Sequence, residues 1–135
     1  MRSAHFTGLL TLLVLATGAQ AHEATHRTAH KQIGKASIYS HRFQGRHMSD
    51  GQRFNVHSSA AASKTLPLGT EARVTNLKTG KSAAVTIKDR GPVPRGRIVD
   101  LTPHTATQIG LTRKEGIAPV SVVPTSLPQE SAAGH

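Results

Sequence analysis

The stretch VTIKDRGPVPRGRIVDLT, residues 85–102, decides how the chain folds and where its chemistry lies. Two strand-like apolar runs, Ala83–Lys88 and Arg97–Leu101, flank a loop rich in Gly, Pro and Arg, and an aspartate, Asp89 or Asp100, stands at or beside the end of each run. The whole chain has only seven acidic residues. Burying an unpaired polar group costs about 2 to 7 kcal/mol. We therefore expect the runs to be adjacent strands whose tips bring both carboxyls into one open trough.

The first 21 residues predict a cleavable secretory signal. A basic start at Arg2 precedes an apolar run at 8–18, and Ala19-Gln20-Ala21 fits the small-x-small cleavage rule. The run is shorter than the roughly 20 residues that a membrane span needs. Because the chain contains no cysteine, no lipid anchor is expected. The product is predicted to be an exported, periplasmic protein with no membrane anchor after cleavage.

The chain is strongly basic. Its formal net charge is +10, and aromatic residues make up 3% of it. A basic surface predicts an acidic partner. Scattered Lys and Arg with few aromatics for base stacking argue against nucleic acid, so the expected partner is an anionic polymer of the cell envelope, bound by a monomer.

Three histidines follow the signal at a spacing of four: His22, His26 and His30. On a helix they would share one face, and imidazole is a metal ligand. The segment 22–32 nevertheless lacks the apolar support that would hold a ligand geometry. We predict a flexible tail there, and neither a metal nor a cofactor is expected.

Short strands alternate with turn signals through the rest of the chain. The predicted strands are 35–40, 72–76, 82–87, 97–101 and 117–123. Gly80 is placed for a positive φ in a hairpin loop, Ser58–Ser63 is alanine-rich and predicts one or two helical turns, and Thr102-Pro103 caps a short helix at 104–109. The pattern predicts an all-β fold, a small barrel closed to remove its edges, between the tail 22–32 and a loose tail at 124–135.

An ordered set of motifs over residues 33–123 resembles the barrel domain of the rare lipoprotein A family. The set comprises Gly34-Lys35-Ala36-Ser37-x-Tyr39, Phe43-x-Gly45-Arg46, Gly51-x-x-Phe54, Ala61-Ala62-x-Lys64-Thr65-Leu66-Pro67-x-Gly69-Thr70, Val74-Thr75-Asn76, Asp89-Arg90-Gly91-Pro92 and Gly96-Arg97-Ile98-Val99-Asp100-Leu101. The resemblance implies a six-stranded double-psi β-barrel with one or two short helices, a fold also seen in expansins and MltA-type murein transglycosylases. It further implies a lytic transglycosylase that cleaves MurNAc-GlcNAc bonds of peptidoglycan glycan strands and leaves 1,6-anhydro-MurNAc ends.

The resemblance also assigns roles to the two aspartates. Asp100 matches the family's catalytic acid and Asp89 its second acidic residue. Apolar neighbours such as Ile98 favour a protonated Asp100. The charges of Lys88 and Arg90 favour an ionised Asp89, which either assists the chemistry or pairs with a nearby arginine and pins the loop.

Five further residues are predicted to bind substrate: Ser63, Lys64, Tyr39, Arg90 and Arg97. Many relatives have His where this chain has Ser63, and Thr is frequent where it has Met48. The serine favours an alternative in which the protein binds and loosens peptidoglycan glycan without cleaving it, as an expansin does. A secreted inhibitor or toxin-like module is a third class.

Overall fold

The computed structural model describes residues 30–128. The predicted signal peptide, His22 and His26 of the predicted tail, and the last seven residues lie outside the described residues.

Six strands form a closed barrel in the order β1-β5-β2-β4-β3-β6. The elements are β1 Gln32–Ile38, a 3₁₀ helix His41–Phe43, β2 Ala60–Ser63, β3 Glu71–Asn76, β4 Ser82–Asp89, β5 Arg97–Leu101, α1 Pro103–Gln108 and β6 Ile117–Ser126. The parallel pairs are β1 with β5 and β2 with β4, and the others are antiparallel. The predicted six-stranded double-psi β-barrel is confirmed.

The two strands that carry the aspartates are not adjacent, contrary to the prediction. Strand β2 lies between them, parallel to β4 and antiparallel to β5. The prediction of helical turns over Ser58–Ser63 is also wrong, because Ala60–Ser63 forms this intervening strand β2. The helix propensity of alanine is a weak preference, and here the pairing of four buried residues with strands on both sides overrides it.

Local signals placed the other elements well. The hairpin between β3 and β4 is confirmed, and Gly80 has φ 74° at its turn. Helix α1 is capped as predicted, with the Thr102 side chain accepting from the Thr105 amide and Pro103 in the first turn, and it runs one residue earlier than the predicted 104–109. No helix within residues 30–128 is long and apolar enough to cross a membrane.

Both ends of the barrel extend beyond the predicted domain limits. Strand β1 begins at Gln32, inside the predicted N-terminal tail. Strand β6 runs to Ser126, where Pro124 and Ser126 pair with Ala72 and Glu71 of β3. The predicted start of the C-terminal tail at 124 is therefore wrong. Strand β3 extends beyond Arg73, the partner of Val123, and so offers pairing partners to the residues that follow Val123.

The apolar side chains form two separate clusters. The barrel interior is built from Val, Ile, Leu and Ala, as the composition predicts, with Ile87 and Leu101 among the largest side chains fully excluded from solvent. The second cluster contains Met48, Phe54, Val56 and Ala60, with Tyr39 and Phe43 packed against it. The aromatic residues within 30–128, which are Tyr39, Phe43 and Phe54, therefore belong to the long segment between β1 and β2 and lie outside the barrel core.

One buried hydroxyl suggests a stabilising substitution. Thr70 Oγ1 is buried without a hydrogen-bond partner among the described residues. An unsatisfied buried polar group costs roughly 1 to 3 kcal/mol, and valine has nearly the same shape. We expect Thr70→Val to raise the free energy of unfolding by about 1 kcal/mol in urea denaturation.

Thr102→Val is the matched control for that substitution. Thr102 Oγ1 donates to the Ser58 carbonyl at 2.6 Å and accepts from the Thr105 amide at 3.1 Å. Removing this helix cap should lower the free energy of unfolding by roughly 0.5 to 2 kcal/mol. Equal destabilisation by both substitutions would contradict the interpretation of Thr70.

Candidate active site

The strand between the two aspartates sets their relative position. Ala62 of β2 is in register with Asp89 of β4 on one side and with Asp100 of β5 on the other. Because neighbouring strands lie about 4.8 Å apart, the two aspartate Cα atoms are separated by roughly 10 Å. The two carboxyls therefore belong to one transverse row of the sheet, with a methyl side chain between them.

A β-bulge places Asp89 in this row. The register of β2 with β4 shifts between Ala61 and Ala62, which pair with Ile87 and Asp89. Strict alternation would send Asp89 to the same side as Ile87, into the core. The extra residue in β4 disrupts the alternation, as bulges do, and Asp89 becomes a half-buried side chain of an open groove.

The groove has a volume of about 700 Å³. Both aspartates line it, together with Tyr39 and Phe43 of the aromatic cluster and residues 91–94 of the loop between β4 and β5. Basic side chains are frequent in the lining: Arg42, Arg46, Arg90 and Arg97. The prediction of two scarce carboxyls in one open trough is therefore correct, although the strands that carry them are not neighbours.

Hydrogen bonds hold Asp89 in its ionised form. Its carboxylate accepts from Tyr39 Oη at 2.7 Å, from Ser49 Oγ at 2.7 Å and from the amides of Ser49 and Arg90 at 3.0 and 2.9 Å. Partial burial by itself raises the pKa of Asp89, but these hydrogen bonds outweigh it and the pKa lies below its ordinary value.

The predicted cause of that ionisation is not the one observed. Lys88 Nζ bonds to Gln52 at 2.6 Å, and the Arg90 guanidinium donates to the carbonyls of Ser63 and Leu66 at 3.1 and 2.5 Å. Asp89 makes no ion pair within residues 30–128. Hydrogen bonds donated by Tyr39 and Ser49 therefore stand in place of the arginine pairing that was one of the two alternatives for Asp89.

The pKa of Asp100 is shifted in the opposite direction from that of Asp89. Burial raises the pKa of its carboxyl above the ordinary value and the negative charge of Asp89 raises it further. A hydrogen bond donated by Ser37 Oγ and the charges of Arg97 and Lys64 oppose the shift without cancelling it. The predicted protonation tendency of Asp100 is therefore confirmed, with burial as its main cause.

Tyr39 connects the aromatic cluster to the carboxyl pair. Its ring lies 4.6 Å from that of Phe54, centroid to centroid, and 6.2 Å from that of Phe43. Burial and the hydrogen bond to Asp89 raise the pKa of its phenol. Tyr39 therefore remains a neutral donor to Asp89 at physiological pH.

The other predicted substrate-binding residues are divided between the groove and its surroundings. Arg90 and Arg97 line the groove, although the Arg90 guanidinium is engaged by backbone carbonyls. Among the residues that the structure describes, neither Ser63 nor Lys64 lines the groove. Ser63 is buried and its Oγ accepts from the amides of Thr65 and Leu66, so its direct binding of sugar stays a prediction.

Lys64 lies in a smaller cavity beside the groove. It lines this cavity, about 270 Å³ in volume, with Arg95 and Arg97, and Arg97 also lines the groove. Its Nζ donates to the carbonyls of Val93 and Pro94, each at 3.1 Å. Lys64 thus holds the loop between β4 and β5.

Two serines of the site were not predicted. Ser37 and Asp100 are partners in the parallel ladder of β1 and β5, and Ser49 reaches Asp89 from a turn forty residues earlier. No local pattern marks either contact. The signal available in the sequence was the motif Gly34-Lys35-Ala36-Ser37-x-Tyr39, which contains one hydrogen-bond donor to each aspartate.

The two serines allow the carboxyl titrations to be tested separately. Ser37→Ala removes a donor that lowers the pKa of Asp100, so this pKa should rise further. Ser49→Ala removes the hydroxyl donor to Asp89 while the amide donor stays, and it should raise the pKa of Asp89 instead. Carboxyl-carbon NMR titration of both variants measures this, and movement of the same aspartate in both would contradict the assignment.

The barrel and its groove define the chain as a double-psi β-barrel protein with a paired-carboxyl site. The lytic transglycolase family model, of the double-psi barrel type, matches residues 31–122. The chain therefore belongs to this family.

Named relatives support the same assignment. The endolytic peptidoglycan transglycosylase RlpA of Neisseria meningitidis is 43% identical over 91 residues, which cover 67% of this chain and 38% of the relative. The protein of the same name from Pseudomonas aeruginosa is 38% identical over 99 residues, covering 68% of this chain and 29% of the relative. The chain thus spans well under half the length of these relatives.

A solved expansin shares the fold. The expansin of Clavibacter michiganensis superposes with a TM-score of 0.58 at 21% identity, covering 74% of this chain and 52% of the expansin. A mutant of that expansin in complex with cellohexaose superposes with the same TM-score at 18% identity, over the same shares of both chains.

Proposed function

We propose that the protein is an endolytic lytic transglycosylase that cleaves MurNAc-GlcNAc bonds within peptidoglycan glycan strands. The observation that carries the proposal is the pair of carboxyls in one groove, with the pKa of Asp100 above and that of Asp89 below the ordinary value. When the environment moves the pKa values of two titratable groups in opposite directions, the group with the raised pKa is the acid of the site and the other is the anion. Family membership and the relatives' activity support the choice of substrate.

The reaction needs one group that acts first as acid and then as base. Protonated Asp100 donates its proton to the glycosidic oxygen, and the bond between this oxygen and muramic acid C1 breaks with its electron pair on the leaving oxygen. The Asp89 carboxylate stabilises the positive charge that develops at C1. Asp100, now ionised, accepts the proton of the muramic acid 6-hydroxyl while O6 bonds to C1, so the 1,6-anhydro end forms without consuming water.

The groove favours an acidic polysaccharide. Arg42, Arg46 and Arg97 line it together with Arg90, and the whole chain carries a formal net charge of +10. Peptidoglycan strands carry carboxylates on their lactyl and peptide branches, which complement this charge. An exported, periplasmic location and action as a monomer complete the proposal.

A binder that loosens glycan without cleaving it is the second candidate. The position at which many relatives have His is occupied by Ser63, whose hydroxyl is buried and bonded to backbone amides. No imidazole from this position can therefore assist Asp100. The groove and both carboxyls would then serve recognition alone.

Digestion of purified peptidoglycan distinguishes the candidates. Transglycosylation releases fragments with anhydro ends, lighter by one water than the reducing ends that hydrolysis leaves. Mass spectrometry of the soluble products should show anhydro ends that accumulate with time. Reducing ends would overturn the proposed reaction, and co-sedimentation with peptidoglycan without any soluble product would establish the binder.

A further inference from the structure

Val93 is the most exposed of the large apolar side chains in the described part of the chain. Its exposed fraction is 89%, and it lines the groove from the loop between β4 and β5. The other exposed apolar residues, such as Ile33 and Leu77, are not part of the groove lining. Single exposed apolar side chains are ordinary on protein surfaces, so the position of Val93 has to be supported by a second observation.

The second observation is that the loop is held in place by hydrogen bonds from Lys64, the residue that directly follows β2. The Lys64 ammonium donates to the Val93 and Pro94 carbonyls, and the Arg97 amide donates to the Pro94 carbonyl at 3.4 Å. Proline fixes φ at 92 and 94, on both sides of Val93, and Pro92 itself is buried. Val93 is therefore an apolar side chain fixed in an exposed position, and fixing a contact before binding lowers the entropy cost of binding.

Lys64 uses charge-assisted hydrogen bonds for this purpose. Such bonds are stronger than neutral ones, and two of them to successive carbonyls leave the ammonium with one free proton. A cation that served mainly as a ligand for substrate carboxylates would keep its donors available. The two bonds point to a positioning role.

The groove lining supplies a further apolar surface. Phe43 is half-buried and lines the groove, and the guanidinium carbons of Arg42 and Arg46 lie 5.2 and 5.7 Å from its ring centroid. A pyranose ring has C–H faces that pack on apolar side chains and hydroxyl edges that hydrogen-bond. The groove offers both kinds of surface beside the two carboxyls.

We propose that Val93 is a sugar-contacting residue of the groove and that Lys64 is the positioning residue that holds it there. The proposal rests on the proposed function for the identity of the sugar, since the groove is taken to bind peptidoglycan glycan. It assigns to Val93 the C–H face of a bound pyranose. It also changes the predicted role of Lys64 from binding substrate to ordering the groove wall.

The test measures binding of peptide-free glycan fragments, prepared from purified peptidoglycan, by isothermal titration calorimetry. All proteins carry Asp100→Asn, so that no fragment is cleaved during the titration. Val93→Ser should weaken binding about tenfold, because one apolar side chain loses its contact. Val93→Leu should bind within twofold of the parent, and so should Leu77→Ser, which removes an exposed apolar side chain outside the groove.

Lys64 is tested against a neighbouring cation. Lys64→Met should weaken binding as much as Val93→Ser, whereas Arg95→Met, which removes a charge from the same small cavity, should change binding less than threefold. Lys64→Arg should restore binding, since a guanidinium can donate to both carbonyls. The double variant Val93→Ser with Lys64→Met should be no weaker than either single variant, as expected for residues that act through one contact.

Three results would overturn the proposal. These are equal binding by Val93→Ser and Leu77→Ser, equal effects of Lys64→Met and Arg95→Met, and additive effects of the Val93 and Lys64 substitutions. Because these experiments measure binding, they are independent of whether anhydro ends are produced. A glycan binder that cleaves nothing would still show the Val93 and Lys64 effects.

Discussion

The Asp100→Asn protein should bind glycan strands and release no measurable anhydro ends. Asparagine keeps the size of the side chain and can still accept from Ser37, but it cannot donate a proton to the glycosidic oxygen or take one from the 6-hydroxyl. Loss of a general acid and base lowers rates by about 10²- to 10⁴-fold. Release of anhydro fragments from purified peptidoglycan, with binding measured separately, tests the expectation.

The same substitution should stabilise the protein at neutral pH. The pKa of Asp100 is raised in the folded state, so the folded protein holds its proton to a higher pH than the unfolded chain does. Stability therefore falls as pH rises through the unfolded and then the folded pKa. Asparagine does not titrate. The melting temperature of the variant should exceed that of the wild type at neutral pH, and the difference should disappear in acid, where Asp100 is protonated in both states.

Asp50→Asn is the control for this experiment. Asp50 lies outside the groove lining, and its carboxylate accepts from the Gln52 amide and lies 4.0 Å from Lys88 Nζ. The Asp50→Asn substitution should leave the release of anhydro ends unchanged. Normal activity in Asp100→Asn, or a variant less stable than the wild type at neutral pH, would contradict the assignment of Asp100 as the buried acid.

The sequence predicted the parts of the fold that depend on neighbours along the chain. The hairpin around Gly80, the cap at Thr102 and the strands at 97–101 and 117–123 follow from turn chemistry and alternation, which act over a few residues. The alanine-rich segment that became β2 contains no such signal. Its conformation is decided by β4 and β5, which pair with it from both sides through residues that lie at least 26 positions later in the chain.

The candidate site shows the same division. The scarcity of acidic residues was enough to select Asp89 and Asp100, and apolar neighbours were enough to predict the raised pKa of Asp100. The partners of the site were beyond local reasoning, because Ser37 meets Asp100 only through a strand pairing and Ser49 meets Asp89 only through a loop contact. Charge alone could not show that Lys64 donates its protons to backbone carbonyls.

Asp89→Asn should change the pH dependence of the reaction as well as its rate. In the wild type, kcat/KM should follow a bell-shaped profile whose acidic limb reports ionisation of Asp89 and whose basic limb reports loss of the Asp100 proton. The pKa of Asp89 is lowered and that of Asp100 is raised, partly by the Asp89 charge itself. Removing that charge should abolish the acidic limb and move the basic limb to lower pH.

The rate of Asp89→Asn should fall by about 10²- to 10³-fold, the usual effect of removing one preorganised electrostatic group from a transition state. Tyr39→Phe is the matched control, because it removes one hydrogen bond to Asp89 but keeps the carboxylate. Its acidic limb should move to higher pH, since the Tyr39 hydrogen bond lowers the pKa of Asp89. A basic limb that stays in place in Asp89→Asn would show that the two carboxyls titrate independently, and it would contradict the conclusion that the Asp89 charge raises the pKa of Asp100.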